Sequence, residues 1–201
     1  MTRATTRARS AALLALVLLL PAVPARAAET FQLDQRYATI GFSVGNLGLF
    51  RSTGDFARFV GHLTIDLAKP TATTIAVTID TTSLQTPWDD ETQMLRSPDF
   101  FDVTRYPEIH FISRAVTSAG PGRYLVQGDI SIRGITRPMT LNAKLTHESR
   151  DPATGKQIDD FIVTGELDRR AFGMTANPLI IADQVRIDIH ARIILDRTRG
   201  G

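Results

Sequence analysis

The side chains that could carry chemistry in this sequence are few and widely separated. No cysteine occurs, so neither a thiol nucleophile nor a thiolate metal site is available. The sequence contains no His-Glu-x-x-His pair, EF-hand loop, Gly-x-Ser-x-Gly elbow, P-loop or dinucleotide fingerprint. The four histidines are each isolated: His62, His110, His147 and His190. The sequence therefore predicts no catalytic residue and no metal ligand, since a metal site would have to be assembled from distant segments.

One acidic run, Asp89 to Glu91, has the composition of a paired-carboxylate site but the context of a helix start. Acidic side chains are favoured in the first turn of a helix, where the backbone carries partial positive charge. Apolar residues and Arg96 follow at the positions of a last turn. We therefore predict one short helix, Asp89 to Arg96, in the long connection between strands ending near Asp80 and beginning near Glu108.

The elements that must position any site are predicted to be strands. Apolar and polar residues alternate with a period of two in eight segments, which is the pattern of half-buried strands. The segments are 38–44, 61–67, 74–80, 108–111, 124–133, 139–147, 161–168 and 185–193. Consecutive strands of this kind, joined by Gly- and Pro-containing turns, suit an antiparallel meander that closes on itself. The prediction is an all-β fold: an eight-stranded antiparallel barrel with one short helix near 89–96.

The interior of such a barrel is rich in aliphatic and phenylalanine side chains. Eight strands enclose a space that either packs solid or holds one ligand. Glycines inside the strands, Gly41, Gly61, Gly128 and Gly165, favour internal space or bends in the wall. Composition alone leaves both a solid core and a ligand cavity open.

The first 27 residues have the pattern of a secretory signal peptide. Arginines precede the apolar run Ala11 to Leu20, and the small-residue triplet Ala25-Arg26-Ala27 follows. The run is about ten residues, half of what a membrane-spanning helix needs. We predict cleavage after Ala27 and a mature domain over 28–201; a retained anchor is the alternative.

Removal of this segment changes the charge of the protein. The full chain has 23 basic and 21 acidic residues, and the segment contains four arginines and no acid. The mature chain therefore has 19 basic and 21 acidic residues, a formal charge of −2, and no support for nucleic-acid binding. Its 174 residues are enough for one domain with a core, held together without disulfides.

Several segments, in order, resemble the YceI-like, polyisoprenoid-binding family over essentially the whole mature chain. The most specific is "LRSPDFFDVTRYPEIHFIS" at 95–113. The others are "GFSVGNLGLFRSTGDFARFVGHLTID" at 41–66, "IDTTSLQT" at 79–86, "VQGDISIRGITRPMTL" at 126–141, "DRRAFGM" at 168–174 and "ADQVRIDIHARI" at 182–193.

The resemblance implies a lipocalin-like barrel, exported to the periplasm, with an apolar tunnel that holds an isoprenoid chain such as a polyprenyl or ubiquinone-like lipid. It implies a non-catalytic binding or carrier protein with no cofactor apart from the bound lipid, not membrane-spanning after signal cleavage, and a possible homodimer. Two departures leave the head group open. Many members have a histidine where this chain has Asn46, and an Arg-Asp-x-His segment where it has Glu91 to Met94.

The predicted ligand contacts are apolar side chains expected to face the tunnel and polar groups at its mouth. Asn46, Arg51 and Arg96 are the candidates for the mouth. Of the adjacent Phe100 and Phe101, we expect one to close the interior and the other to hold the helix from outside. The full set of predicted ligand-binding residues is Phe42, Val44, Asn46, Phe59, Leu63, Arg96, Phe100, Phe101, Ile109, Phe111, Val126, Ile130, Phe172 and Met174.

Two other classes of function make different structural predictions. An enzyme acting on an envelope lipid or small apolar substrate requires a buried carboxylate or histidine inside the tunnel. An outer-membrane barrel requires outward apolar faces, with the charged residues of the final strand lining a narrow lumen.

Overall fold

The computed structural model describes residues 29–33, 35–46, 50–65 and 69–195, and the fold is described for these. The signal peptide predicted over 1–27 and its cleavage site lie outside the described residues and remain predictions. No helix in the described ranges is long and apolar enough to cross a membrane.

The described residues form eleven strands and one α-helix, and the helix α1 is Asp89–Arg96, as predicted. Three 3₁₀ turns, Pro70–Ala72, Thr81–Ser83 and Arg169–Phe172, lie between strands. The strands are β1 (Glu29–Gln32), β2 (Ala38–Asn46), β3 (Phe50–Phe56), β4 (Phe59–Ile65), β5 (Thr74–Asp80), β6 (Leu84–Gln85), β7 (Glu108–Ser118), β8 (Arg123–Ile132), β9 (Ile135–Arg150), β10 (Gln157–Asp168) and β11 (Ile181–Leu195).

All strands belong to one antiparallel sheet in the order β1-β4-β5-β7-β8-β9-β10-β11-β2-β3-β6. The sheet curls around a central cavity, which confirms the all-β, lipocalin-like class. The predicted count of eight strands is three too low, because β1, β3 and β6 were not recognised. β6 has only two residues, and in β3 ("FRSTGDF") Ser52 and Gly54 separate Phe50 and Phe56 on one face, so neither strand has the alternation that identifies a half-buried strand.

The described strands do not close into a continuous hydrogen-bonded barrel, because β1 and β6 are the two ends of the order. The corner between β3 and β4 is instead held by the 3₁₀ turn that follows β5. The amide of Ala57 donates to the carbonyl of Ser83 at 3.2 Å, and that of Asp80 donates to Arg58 at 3.0 Å. The sheet is thus a curled half-barrel held together at this corner by loop contacts.

The glycines inside the strands make room for neighbouring side chains. A Cβ atom at Gly128 would collide with the ring of Phe111, and one at Gly54 with the ring of Phe42. A strand glycine beside a large ring is a common way to let the ring lie flat against the wall. The glycine positions therefore reflect aromatic packing as much as open space.

Helix α1 and the turn after it cover one end of the half-barrel, which we call the helix end. The guanidinium of Arg96 donates through Nη2 to the carbonyl of Leu84 at 2.6 Å, which attaches the helix to β6. The amide of Phe101 donates a hydrogen bond of 2.9 Å to the carbonyl of Leu95. Asp102, the next residue of the turn, has a φ of 49°, in the left-handed region. Arg133 donates to the carbonyl of Phe100, so the turn is also fastened to the end of β8.

Candidate ligand-binding cavity

The curled sheet encloses a cavity of about 300 Å³ that is lined by nine of the eleven strands, all except β1 and β6. Its lining is aliphatic and aromatic apart from a few residues, of which Asp159 and Arg169 are the charged ones. This volume and composition are those of a small-molecule site, whose pockets are mostly apolar with a few placed polar groups. The interior is therefore not a solid core.

Most of the predicted ligand-binding residues line this cavity. Ten of the fourteen do so: Phe42, Val44, Leu63, Phe100, Phe101, Ile109, Phe111, Val126, Ile130 and Met174. They come from four strands and two connecting segments, so the fold brings together residues that are far apart in sequence. That they contact a ligand remains a prediction.

The other four do not line the cavity. Phe59 and Phe172 are buried in the surrounding core at 4% and 2% exposure. Asn46 donates to the hydroxyl of Ser52 on the neighbouring strand, and Arg96 is engaged with Leu84. Each of these two polar side chains has one partner within the fold, although Asn46 Oδ1 and Arg96 Nε are buried without a partner, and neither residue lines the cavity.

Arg51, the third residue predicted to lie at the mouth, also forms a hydrogen bond within the protein. Its Nη1 donates to the hydroxyl of Ser43 at 3.0 Å across the β2–β3 pair. Neither Arg51 nor Arg96 lines the cavity. The positions of Arg51 and Arg96 therefore do not support the prediction that they contact a ligand head group at the mouth of the cavity.

Both phenylalanines of the Asp-Phe-Phe-Asp segment face the interior, so the expectation that one of them lies outside is wrong. Phe100 is 3% exposed, and Phe101 packs against two rings of the β2–β3 wall. The centroid of its ring is 6.0 Å from that of Phe42 and 5.7 Å from that of Phe56. The rule that adjacent side chains diverge holds for strands, whereas these residues lie in a tight turn.

Arg169 seals the helix end from the side of β10. The side chain is 3% exposed, and its guanidinium donates to four backbone carbonyls: Ala182 at 3.0 Å, Met174 at 2.7 Å, Ala176 at 2.8 Å and Ile181 at 2.9 Å. Asp183 lies 3.5 Å from its Nη2. With its donors used in this way, the cation holds the segment between β10 and β11 in place.

Asp159 lies at the opposite end of the cavity, near the start of β10; we call this the far end. It is 6% exposed and lines the cavity. Its Oδ1 accepts a hydrogen bond of 2.7 Å from Nε2 of Gln157, which is itself 8% exposed. Gln157 Nε2 also lies 3.4 Å from Oε1 of Glu148 on β9. A buried carboxylate thus faces an apolar cavity with an amide beside it.

A β-bulge sets which side chains of β9 join this far-end group. The register between β9 and β10 shifts between Asp160 and Phe161, where Thr146 is the extra residue. Glu148 is consequently opposite Asp159, and His147 is opposite Asp160 on the outer face. Bulges commonly re-aim side chains beside functional sites. Here the bulge brings Glu148 to the same face as Asp159.

The two ends are separated by about six residues along β11. Phe42, which contacts Phe101 at the helix end, is paired with Ile187, whereas Asp159 is paired with Ile193. Six residues of strand span about 20 Å. The cavity is therefore an elongated space with an aromatic and aliphatic end and a polar end.

Several other titratable groups form local pairs away from the cavity lining. Arg192 donates to Asp160 at 2.7 and 3.1 Å, and this hydrogen bond holds the pKa of the Asp160 carboxyl below its ordinary value. His110 lies between Glu108, at 3.3 Å, and the hydroxyl of Thr78. Across the described ranges, no three potential metal ligands come together.

The comparison with known proteins agrees with this architecture. A family model described as the YceI-like domain matches residues 31–193. The chain belongs to the YceI-like family. A UPF0312 protein of Pseudomonas putida strain W619 is 36% identical over 158 residues, which cover 78% of this chain and 81% of the relative. A UPF0312 protein of Shewanella denitrificans is 31% identical over 179 residues, covering 89% and 93%.

Solved structures show the same fold at lower identity. BcnA of Burkholderia cenocepacia superimposes with a TM-score of 0.72 at 22% identity and covers 80% of this chain and 99% of its own. A polyisoprenoid-binding domain from Saccharophagus degradans superimposes with a TM-score of 0.59 at 13% identity, covering 82% and 97%. These similarities establish the fold of the family member described here.

Sequence reasoning missed both charged residues of the cavity. Asp159 is the first of two adjacent acids, and the alternation of β10 places Asp159 inward with Phe161 and Val163. Extending the predicted strand by two residues would have found it. Arg169 and Arg170 are adjacent in a turn, where no periodicity distinguishes a buried from an exposed arginine.

Proposed function

We propose that this protein is a non-catalytic, periplasmic binding or carrier protein that holds an isoprenoid lipid, polyprenyl or ubiquinone-like, in its cavity. The observation that carries the proposal is the elongated cavity with an almost entirely apolar lining. Membership of the family and the fold shared with a polyisoprenoid-binding domain support it.

Burial of the hydrocarbon chain supplies the affinity in this proposal. Each methylene-sized group moved out of water contributes about 0.8 kcal/mol, so three isoprene units contribute roughly 10 kcal/mol before the costs of binding. Immobilisation of the lipid removes several kcal/mol of this. Micromolar or tighter binding therefore follows from the tail alone.

The direct test is to identify what the cavity holds. The protein purified from its own cell envelope is analysed by native mass spectrometry, and bound lipid is extracted and identified by tandem mass spectrometry. We expect an isoprenoid at a ratio near one per chain. Protein with no bound lipid, or with straight-chain lipids only, would contradict the proposal.

A cavity-filling variant makes the test specific to the interior. Ala143 on β9 lines the cavity, and the adjacent Asn142 is exposed on the outer face. Ala143→Trp is expected to reduce lipid occupancy severely, because the indole takes the volume of the chain. Asn142→Trp adds the same group outside and is expected to leave occupancy unchanged. Equal occupancy in both variants would place the lipid elsewhere.

One observation favours a second candidate, an enzyme that acts on an envelope lipid or small apolar substrate. Asp159 is the buried carboxylate that such an enzyme requires inside the cavity. Its hydrogen-bond partner in the described chain is the amide of Gln157, which is neither an acid nor a base near neutral pH. Incubation of the loaded protein followed by mass measurement of the lipid separates the two candidates: a carrier leaves the mass unchanged.

Location and assembly are tested separately from ligand binding. We expect the protein in the periplasmic fraction with its N-terminus at Ala28, which N-terminal sequencing measures. Light scattering after size-exclusion chromatography tests the possible homodimer.

A further inference from the structure

The geometry points to a head-group subsite at the far end of the cavity, in which Asp159, supported by Gln157 and Glu148, accepts a hydrogen bond from a neutral lipid hydroxyl and disfavours a phosphorylated lipid. The inference rests on the proposed function, since it names which isoprenoids the cavity takes.

The burial of Asp159 is the first step. A charged side chain is rarely buried unless it is paired, because leaving water costs several kcal/mol. Asp159 is 6% exposed, and in the described part of the chain no cation lies against it. Nothing in the packing of β10 requires an acid there, because the next inward positions, Phe161 and Val163, are apolar.

The hydrogen-bonding capacity of the carboxylate is the second step. An ionised carboxylate has about four lone-pair sites on two oxygens. Within the described residues, Asp159 accepts one hydrogen bond, on Oδ1 from Gln157. The amide of Gln157 fixes the orientation of the group, and its second oxygen is left to accept from a ligand. The complementary ligand group is a hydrogen-bond donor, of which a hydroxyl is the simplest.

The sign of the charge is the third step. Glu148, an exposed residue of β9, lies 3.4 Å from the same amide, so a second acid stands beside the subsite at the surface. Like charges in such a site repel a phosphate. The cation that lines the cavity, Arg169, lies beyond the other end of β10 and is engaged with four carbonyls. A phosphate therefore meets the Asp159 carboxylate, with Glu148 nearby, at one end and a guanidinium already engaged with carbonyls at the other.

The experiment measures the preference of the full mature protein among three C20 probes with the same tail. The probes are geranylgeraniol, its methyl ether and geranylgeranyl phosphate, each competed against a fluorescent apolar dye after removal of endogenous lipid. The ether keeps the tail and the oxygen but has no hydrogen to donate. The variants are Asp159→Leu and the near-isosteric Asp159→Asn, and thermal melting checks that each is folded.

Asp160→Asn is the matched control. It removes the same charge from the adjacent position of the same strand, but Asp160 faces outward and pairs with Arg192. We expect it to bind all three probes as the unmodified protein does.

We expect the unmodified protein to bind the alcohol about tenfold more tightly than the ether, the effect of one hydrogen bond to a charged group. Asp159→Leu is expected to abolish that difference. Both Asp159 variants are expected to improve binding of the phosphate. Equal affinity for alcohol and ether, or a preference for the phosphate, would overturn the subsite while leaving lipid binding intact. Failure of all three probes to displace the dye would overturn the proposed function itself.

Discussion

Arg169 and Asp159 are both buried, charged side chains that line the same apolar cavity, but they differ in how many hydrogen bonds the fold gives them. Arg169 donates to four backbone carbonyls at the helix end. Asp159 accepts a single hydrogen bond from Gln157 at the far end. The first charge is satisfied by the fold and holds it together. The second has capacity to spare, which is the mark of a group available to a ligand.

The same contrast extends to the walls around the two charges. At the helix end, Leu95 of α1 and Phe100 of the following turn are buried, the helix is hydrogen-bonded to β6, and the turn is hydrogen-bonded to Arg133 after β8. At the far end, inward residues such as Phe161 and Tyr124 are half-buried, with ring centroids 6.4 Å apart. One end is built as packed core and the other as a lining.

The largest effect is expected from removal of Arg169, the buried charge whose hydrogen bonds are satisfied. Arg169→Ala leaves four buried or part-buried carbonyls without this donor, so the free energy of unfolding should fall by about 4 kcal/mol. Urea denaturation measures it. Arg170→Ala is the control, because Arg170 is half exposed and its contact with Asp183 is 3.5 Å long. If Arg170→Ala lowers the free energy of unfolding as much as Arg169→Ala does, the stability depends on the turn as a whole and not on the buried guanidinium of Arg169.

The next effect compares the walls of the two ends. Phe100→Ala removes a ring from a packed site and is expected to cost about 3 kcal/mol of unfolding free energy, since the void left behind adds to the lost burial. Phe161→Ala removes the same ring from a wall that already faces open space, so we expect a loss of about 1 kcal/mol. Lipid-free protein is used for both. Equal losses would show that the far end is as tightly packed as the helix end.

A smaller effect of opposite sign is expected at the unsatisfied charge. Asp159→Leu replaces a buried carboxylate with a hydrocarbon of similar size, and the free energy of unfolding should rise by about 1 kcal/mol. The measurement is urea denaturation of lipid-free protein at pH 7. Destabilisation by more than about 2 kcal/mol would give Asp159 a structural role like that of Arg169.

The smallest effect concerns the outward neighbour of Asp159. The hydrogen bond from Arg192, helped by the charges of Arg192 and His147, keeps the pKa of Asp160 below its unfolded value. A depressed pKa stabilises the fold above the unfolded pKa of about 3.9 and loses this contribution as the pH falls through the folded value. Asp160→Asn should therefore lose less stability than the unmodified protein between neutral pH and about pH 3, by less than about 1 kcal/mol.

Much of the architecture was predictable from local patterns. The alternation of Val126, Gly128 and Ile130 placed β8 with the correct face inward, and the acids before Met94 located α1 at its observed bounds. The segment around Phe100 and Phe101 pointed to the family. β3 escaped detection because its large apolar residues are only the two at its ends, Phe50 and Phe56, and its place in the sheet comes from pairing with β2.

The individual roles in the site were less predictable. Asp159 and Asp160 are identical neighbours, and only the position of β10 within the curled sheet makes one line the cavity and the other pair with Arg192. The bulge at Thr146 decides that Glu148 and not His147 shares the inner face. Asn46 and Arg96, both chosen as head-group contacts from sequence, have partners within the fold that no local pattern indicates.

The sequence by itself determined the strand pattern, the helix, the apolar interior and the family, because each depends on periodicity or on short motifs that are read along the chain. Only the tertiary structure decided that the interior is a cavity, that both Phe100 and Phe101 face it, and that its two charges lie at opposite ends. Those outcomes depend on which distant residues meet across the curled sheet. The residue type alone does not indicate whether a buried charge will have all its hydrogen bonds satisfied. That depends on the donors and acceptors that the fold brings to it.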